Sequence, residues 1–407
     1  IIMNYDQPQG IIEFNNLELK CLIFQVNNNN SLEILSTSTG PSDGIHNDII
    51  VNLTKASNAI RSCLSAAEKK AKVSLKKISV VLEQPDFLCT KFSKQKKING
   101  SKIHKDDIDF LLKEAKKQLI LNDDKQSIIH IFNYNYIVDG KNFIEEPIGV
   151  YADSLHHEMS FITTLKNNIK NINQVFINCD IEVERLFSKT FTLGVELLND
   201  NELKEGSILI NLEYEKISLG IFKNLALVHS ITLPIGINHI TKDISKVCSL
   251  NIEESENIKN YFDFSFGDNK ILFDESNFLK DQYFIESNFR KISKNLILKV
   301  IKARLDEIFE KIDKQLIISK SNTNIGTSIF LVNENKKLRN LEEYYENFFK
   351  MKLKKINFDN QKFEKDFLSC IGAVKIIKDG WETEAIPNKN SDYGKKTSIF
   401  NKIFKSW

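Results

Sequence analysis

The stretch Gly206–Asp243, GSILINLEYEKISLGIFKNLALVHSITLPIGINHITKD, decides how the rest of the chain is read. It holds three short apolar runs, Ile208–Leu212, Ile217–Phe222 and Leu225–Leu233. Only Glu213–Lys216 separates the first two and only Lys223-Asn224 the last two, which predicts an antiparallel meander of three strands. Pro234 and Gly236 break the pattern. Ile240, Ile244 and Val247 then recur at helical spacing, so His239–Val247 is expected to be a helix.

Upstream, Gly10–Val26 is a strand run, Asn27–Asn30 a turn and Leu32–Ser36 a returning strand, with another strand near Asp48–Val51. Thr54–Ala71 places Ala56, Ala59, Ile60, Cys63, Leu64, Ala67 and Ala71 on one helical face, and Ile78–Leu82 is a short buried strand. From Glu83 to His157 the chain reads as an α+β insert. Lys91–Lys105 is basic and polar, an expected exposed loop or hairpin, and Lys105–Leu121 is a helix with Asp106 or Asp107 at its start. Ile128–Asn133 is a strand, and Asp139-Gly140 is a turn between Tyr136–Val138 and Asn142–Ile144. His156-His157 is expected to begin a strand that includes Met159–Thr164. Leu165–Ile172 follows as a short helix, Val175–Cys179 as a strand, and a further helix starts near Ile181.

Downstream, Ile252–Asn260 is a helix, Ser265–Gln282 is loop-rich and Phe284–Gln315 is a long helical region. Ser328–Val332 is a strand, Leu341–Phe349 a helix, and Phe367–Ile376 a buried apolar run. Residues 381–394 are polar, with Pro387 and Gly394, and read as a linker. In the last residues, KKTSIFNKIFKSW, Ile399, Phe400, Ile403, Phe404 and Trp407 share one helical face. Lys395, Lys396, Lys402 and Lys405 take other positions, and no acidic residue follows Asp392. That is the pattern of a helix that lies on an anionic membrane surface, with a terminal helix packed on the body as the alternative.

At 407 residues, two or more subdomains are expected. A net charge of +2 argues against a broad basic face for nucleic acid. The six cysteines (21, 63, 89, 179, 248 and 370) are too dispersed for a metal knuckle or a redox pair, which fits a reducing cytoplasm. No His lies at metal or catalytic spacing. There is no signal-peptide pattern and no run of about 18 apolar residues. The chain opens Ile1-Ile2-Met3, so its first residues are not taken as a native start.

Four stretches carry a family resemblance: KNLALVHSITLPIGINHITKDI (Lys223–Ile244), GPSDGIHNDIIVNLTKASNAIRSCLSAAEKKAKV (Gly40–Val73), IHIFNYNYIVDGKNFIEEPIGV (Ile129–Val150) and IEESENIK (Ile252–Lys259). They resemble FtsA, the actin-like bacterial division family that tethers FtsZ to the membrane. The resemblance runs nearly the whole chain in order. It implies an α/β, actin-like (ribonuclease H-like) two-half ATPase fold with an inserted α+β subdomain. The implied parts are a first subdomain at 1–82, the insert at 83–157, a second-half large subdomain at 158–244 and a small one at 245–310. Residues 311–380 return to the large subdomains, 381–394 form the linker and 395–407 the membrane-targeting helix.

The same resemblance places two phosphate-binding hairpin loops at Glu13–Glu18 (EFNNLE) and Asn211–Ser218 (NLEYEKIS). Glu13 stands where the family has Asp, Asn15 where it has Gly, and Glu18 where it usually has Lys. Asn211 replaces a second Asp, and Glu213, Tyr214 and Glu215 replace small residues. Asn333–Asn335 replaces a Gly triplet, and Ile237 replaces a Gly. Four carboxylates, Glu13, Glu18, Glu213 and Glu215, are thus expected around a site built for an anion. At about 4–6 Å each repulsion costs on the order of 1–4 kcal/mol at surface-like dielectric. Gly236, Thr241, Asp243, Glu256 and Lys259 still match nucleotide-contact positions, although Glu256 and Lys259 also fit an ordinary i, i+3 surface pair and Thr241 and Asp243 also fit helix caps. Hydrolysis is not expected, and whether ATP with Mg is bound stays open.

Arg290, Lys291, Lys294 and Asn295 stand near the family's contacts for the acidic, apolar FtsZ C-terminal peptide, and a solvated basic face is the alternative. The expected role is a cell-division adaptor at the cytoplasmic face of the inner membrane, at the division site. Its expected partners are FtsZ, anionic lipid, other copies of itself and later division proteins bound through the insert, with no nucleic acid. The alternatives are a nucleotide-dependent enzyme of the actin/sugar-kinase superfamily and a pilus-assembly actin-like protein.

Overall fold

The apolar run from Gly10 to Val26 folds as two almost continuously buried strands, β1 (Gln9–Glu13) and β2 (Leu19–Val26), paired antiparallel, with β3 (Leu32–Gly40) antiparallel beyond β2. The structure is a computed structural model that describes residues 7–385, apart from 28–29, 141, 144–145, 268, 322–327, 334–337 and 355–365. A short hairpin, β4 (Ile45–His46) and β5 (Ile49–Ile50), leads to α1 (Leu53–Ala71). Asn52 sets the start of α1 by accepting the Lys55 N–H at 2.9 Å. The expected apolar stripe of α1, Ala56 to Ala67, is buried on β2 and β3. β6 (Lys77–Leu82) then lies parallel to β1.

The next elements are β7 (Leu88–Lys102), α2 (Lys105–Asn122), β8 (Gln126–Val138), β9 (Asn142–Phe143) and β10 (Tyr151–Leu165). They form a sheet of order β7-β10-β8-β9. The stripe Ile108, Leu111, Leu112, Ala115 and Leu119 of α2 shares a core with Phe92, Leu155 and Phe161 of the sheet. Asp107 accepts the His104 N–H at 2.7 Å and closes the start of α2. Asp139 and Gly140 have φ of 53° and 72°, the two positive values that a tight type I′ hairpin needs.

Three expectations are corrected in this half. Lys91–Lys102 is strand, not loop: Phe92 and Ile98 face the core, and the run pairs with β10 from Leu88↔Thr163 to Lys102↔Tyr151. Pairing along a 15-residue partner overrides the weak strand preference of Lys. His157 lies inside β10, not at a strand start; it is fully buried against the Tyr136 ring at 4.4 Å, and neither ring nitrogen has a hydrogen-bond partner among the described residues. Burial pushes its pKa down to about 3. Val175–Cys179 is not a strand, because α3 (Lys166–Ile177) runs through it, with Ile172, Val175 and Phe176 on its buried side. The strand comes later, as β11 (Glu182–Ser188), parallel to β6, followed by α4 (Lys189–Leu197) and α5 (Asp200–Glu205). A short apolar run fits either period, and here the helical one prevailed. The first sheet has the order β11-β6-β1-β2-β3.

The meander forms as β12 (Ser207–Leu212), β13 (Ile217–Lys223) and β14 (Ala226–Leu233), and then α6 (Asn238–Cys248) and α7 (Ile252–Tyr261). Sequential neighbours joined by turns this short are antiparallel. α8 (Lys294–Ser321), β15 (Ser328–Asn333), α9 (Leu341–Phe349) and α10 (Leu368–Asp379) follow. The second sheet has the order β14-β13-β12-β15, an arrangement like that of the first. α8 begins ten residues later than the Phe284 expected for it. Residues 285–287 instead wrap around a carboxylate: Glu254 Oε1 accepts the N–H groups of Ile285, Glu286 and Ser287 at 2.7–2.8 Å. The expected linker also starts later than residue 381, since Thr383, Glu384 and Ala385 are buried.

Two compact units divide the chain, one within residues 1–207, 220–232 and 356–407, the other within 208–219 and 233–355.

Candidate functional site

In the first unit, Glu13 ends β1 and is 1% exposed. Its Oε1 lies 2.9 Å from Lys189 Nζ at the start of α4 and 3.9 Å from Lys20 Nζ. The Ser369 hydroxyl donates to Oε2. Burial alone would raise this carboxyl, but the charges of Lys189 and Lys20 and the Ser369 hydrogen bond bring it down to about 2. Lys189 is itself 1% exposed. Glu18 is half-buried.

In the second unit, Glu213 is 2% exposed, and its Oε1 accepts from Asn211 Nδ2 at 3.0 Å. Lys216 Nζ, fully buried, lies 3.8 Å from Oε2. Glu215 accepts from Asn238 Nδ2 at 2.6 Å and pairs with Lys242 at 3.1 Å. The loop's backbone is closed on itself: Glu213 N–H donates to Lys216 O at 3.0 Å, Ile237 N–H to Glu213 O at 3.1 Å and Asn238 N–H to Tyr214 O at 2.7 Å. The expected crowding of unopposed carboxylates is therefore corrected. Glu13, Glu213 and Glu215 each have a lysine, two of them buried, where a like-charge cost was anticipated.

Gly236 lies against this loop so closely that a Cβ would stand 2.5 Å from Lys216 N and Tyr214 O and 2.6 Å from Glu213 O. Backbone cannot retreat as a side-chain tip can. Gly236→Ala is therefore expected to destabilise the protein by about 1–3 kcal/mol. The urea midpoint of the variant checks this, and an unchanged midpoint would show that the loop yields.

Of the other nucleotide-contact candidates, the fold brings three together. Thr241 Oγ1 donates to Glu256 Oε2 at 2.6 Å, and Lys259 Nζ reaches the same oxygen at 2.8 Å. Lys259 is fully buried, not part of a surface pair, and its ammonium stands 5.4 Å from the centre of the Tyr214 ring. Burial lowers its pKa. Asp243 goes elsewhere, to a two-point ion pair with Arg304 of α8 at 2.5 and 2.9 Å.

The peptide-binding candidates also separate. Arg290 donates to the carbonyls of Cys248 and Ser249, so it caps the end of α6. Lys291 and Lys294 stand over the rings of Phe278 and Phe273 at 5.5 and 5.9 Å, and Asn295 is exposed. Ile285 and Phe289, each 58% exposed, precede them in the chain. Lys395, Lys396, Ile399, Phe400, Lys402, Ile403, Phe404, Lys405 and Trp407 lie outside the described residues, as do Glu334 and Asn335. Among the described residues no helix is long and apolar enough to cross a membrane, and no group of three or more His, Cys, Asp or Glu is placed to hold a metal ion.

Sequence reading missed Lys189 and Lys216 as the partners of Glu13 and Glu213. For Lys189 a signal was present: one cation in the otherwise uncharged run Leu186–Val195. It also missed Glu83, fully buried, which accepts from the Ser188 hydroxyl and the Thr190 N–H at 2.8 Å.

Comparison with known proteins identifies the parts. Residues 88–163 match the SHS2 domain inserted in FTSA, and residues 208–372 match the cell division protein FtsA. The FtsA of Buchnera aphidicola subsp. Schizaphis graminum is 25% identical over 311 residues, 75% of this chain and 72% of that protein. That of Pseudomonas aeruginosa is 22% identical over 330 residues, 81% and 78% of the two chains. Among solved structures, a PilM-PilN type IV pilus biogenesis complex matches with a TM-score of 0.61 at 11% identity, over 89% of this chain and 96% of that one. MreB 5 of Spiroplasma citri bound to AMPPNP matches with a TM-score of 0.50 at 12% identity, over 91% and 96%. The fold is the actin-like ATPase fold with an SHS2 insertion.

Proposed function

This chain belongs to the FtsA family of cell division proteins, and we propose that it serves there as an adaptor without nucleotide turnover. It links FtsZ filaments to the cytoplasmic face of the inner membrane at the division site. Lys291 and Lys294, with the exposed Ile285 and Phe289, suit the acidic, apolar FtsZ C-terminal peptide. Arg290 positions this segment through its carbonyl contacts. Residues 395–407 provide the hold on anionic lipid. Copies of the chain assemble as actin homologues do, and later division proteins bind the insert.

The observation that carries the adaptor reading is the state of the two loops. A triphosphate needs free backbone N–H groups and cations. Here Glu213 N–H is spent on Lys216 O, and Ile237 and Asn238 N–H are spent on the loop's own carbonyls. Glu13 and Glu213 hold the lysines that an anion would recruit. The residues present do not fit ATP with Mg. A second reading, nucleotide binding without turnover, draws on Thr241, Glu256 and Lys259, which remain assembled.

Reconstitution on an anionic supported bilayer tests both. FtsZ recruitment by this chain is expected to need no nucleotide and to be unchanged by ATP with Mg. A requirement for ATP, or its hydrolysis by the chain, would overturn the adaptor reading. Lys294→Glu is expected to weaken binding of an FtsZ tail peptide roughly fivefold, about 1 kcal/mol, for an exposed charge contact. An unaltered dissociation constant would remove Lys294 from the contact.

A further inference from the structure

After α10, the last described residues are sewn onto the insert. Thr383 O accepts the Asn133 N–H and Ala385 N–H donates to Ile131 O, both at 2.8 Å. Phe132 and Glu384 thus face each other across a short antiparallel bridge. β9 covers β8 only at Ile137 and Val138, which leaves this part of the edge to the C-terminal segment.

Side chains lock the bridge. Glu384 Oε1 is 2.6 Å from His130 Nδ1, and the Arg185 guanidinium donates to the same oxygen. The Ser188 N–H donates to His130 Nε2 at 2.9 Å, so the ring carries its proton on Nδ1, facing Glu384. Trp381 Nε1 donates to Leu225 O at 2.6 Å, and its ring meets Phe191 edge-on at 5.7 Å. Ala385, 1% exposed, belongs to the insert's hydrophobic core.

Resting on the reading of residues 395–407 as membrane-seeking, we propose that the insert, through β8, is the mooring of that stretch. A pull from the bilayer then reaches β8 before it reaches α10. Nine residues, 386–394, separate the bridge from Lys395, so the mooring lies at most about 30 Å of extended chain from the lipid-bound residues. With the bridge open, the root moves back toward Trp381, which stays held on Leu225, and the tether gains at most about 14 Å.

Glu384→Ala in the full chain tests this on vesicles of phosphatidylglycerol and phosphatidylcholine. The amides of Asn133 and Ala385 are expected to exchange hydrogen about 100-fold faster, as for a locally opened strand. Co-sedimentation with the vesicles is expected to stay within about twofold, since the tail itself is intact. Energy transfer from a fluorophore on Gln95→Cys, at an exposed position of β7, to a lipid dye is expected to fall as the insert moves away. If exchange rises but energy transfer is unchanged, or if neither changes, the mooring is overturned while the tail reading stands. If the parent chain ignores the vesicles, the tail reading fails and the mooring with it. Should Glu384→Ala not fold, Glu384→Gln keeps the shape and removes the charge; it is expected to move exchange and energy transfer in the same directions, and no change in either overturns the proposal.

Discussion

Removing Lys395–Trp407 is expected to release the protein from anionic vesicles, with a loss of at least about 100-fold in apparent affinity. In the proposed reading, a helix over this stretch would put five large apolar side chains on one face and four lysines beside them. Full transfer of one such side chain is worth ~1.5–3 kcal/mol, and each lysine near anionic lipid adds about 1 kcal/mol. A helix this short is marginal in water, so part of that gain is spent on ordering the chain. What is left reaches the ~8 kcal/mol of micromolar binding. The lysine share is screened by salt and the apolar share is not, so the intact protein should loosen at high salt without letting go. Co-sedimentation of the full and shortened chains measures this. Equal pelleting of the two would end the tether reading.

Replacing Glu13 with Ala is expected to destabilise the protein by about 3–5 kcal/mol, the range found when one partner of a buried ion pair is removed. The carboxylate holds Lys189 and Lys20 and accepts from Ser369, all within one unit. Replacing Glu13 and Lys189 together by Met should restore much of the loss, because the desolvation cost of both charges is removed with them. Acid adds a second signature. The folded pKa of Glu13, about 2, lies below its ordinary 4.5, so the pair's stabilisation is complete above about pH 4.5 and fades as pH falls toward 2. His157 acts over a higher window: the unfolded chain takes up a proton below about 6.5, whereas the folded ring resists until about 3. Stability should therefore decline from pH 6.5 downward in the parent, and below 4.5 the Glu13→Ala variant should decline less steeply, keeping the share that Glu254 and Glu384, also lowered to about 2, contribute. Urea midpoints taken across pH 7 to 3 check both. A midpoint for Glu13→Ala within error of the parent would show that the buried pair contributes nothing net.

Two of the misread elements share a cause. Lys91–Lys102 has the composition of a loop, and only the facing β10 makes it a strand. The Phe284–Ser293 segment has enough apolar residues for a helix, but Glu254 captures three of its N–H groups, and a loop around a carboxylate replaces the first turns. In both cases a partner distant in sequence outbid a weak local preference. Asp139-Gly140 and the α1 stripe were legible because turn chemistry and helical period act between close neighbours. The candidate site divides the same way. Thr241, Glu256 and Lys259 were readable as positions, but that Lys259 is buried and Asp243 is diverted to Arg304 was not.

By itself the sequence determined the meander, the helix after Pro234 and the family, since each rests on patterns within short windows. Tertiary structure alone decided which charge meets which. Glu13 finds Lys189 from beyond an entire insert, and Glu384 finds His130 from 254 positions away. Such pairs follow from where burial excludes water and a lone charge becomes too costly to leave unmatched, and no local window of residues records that place.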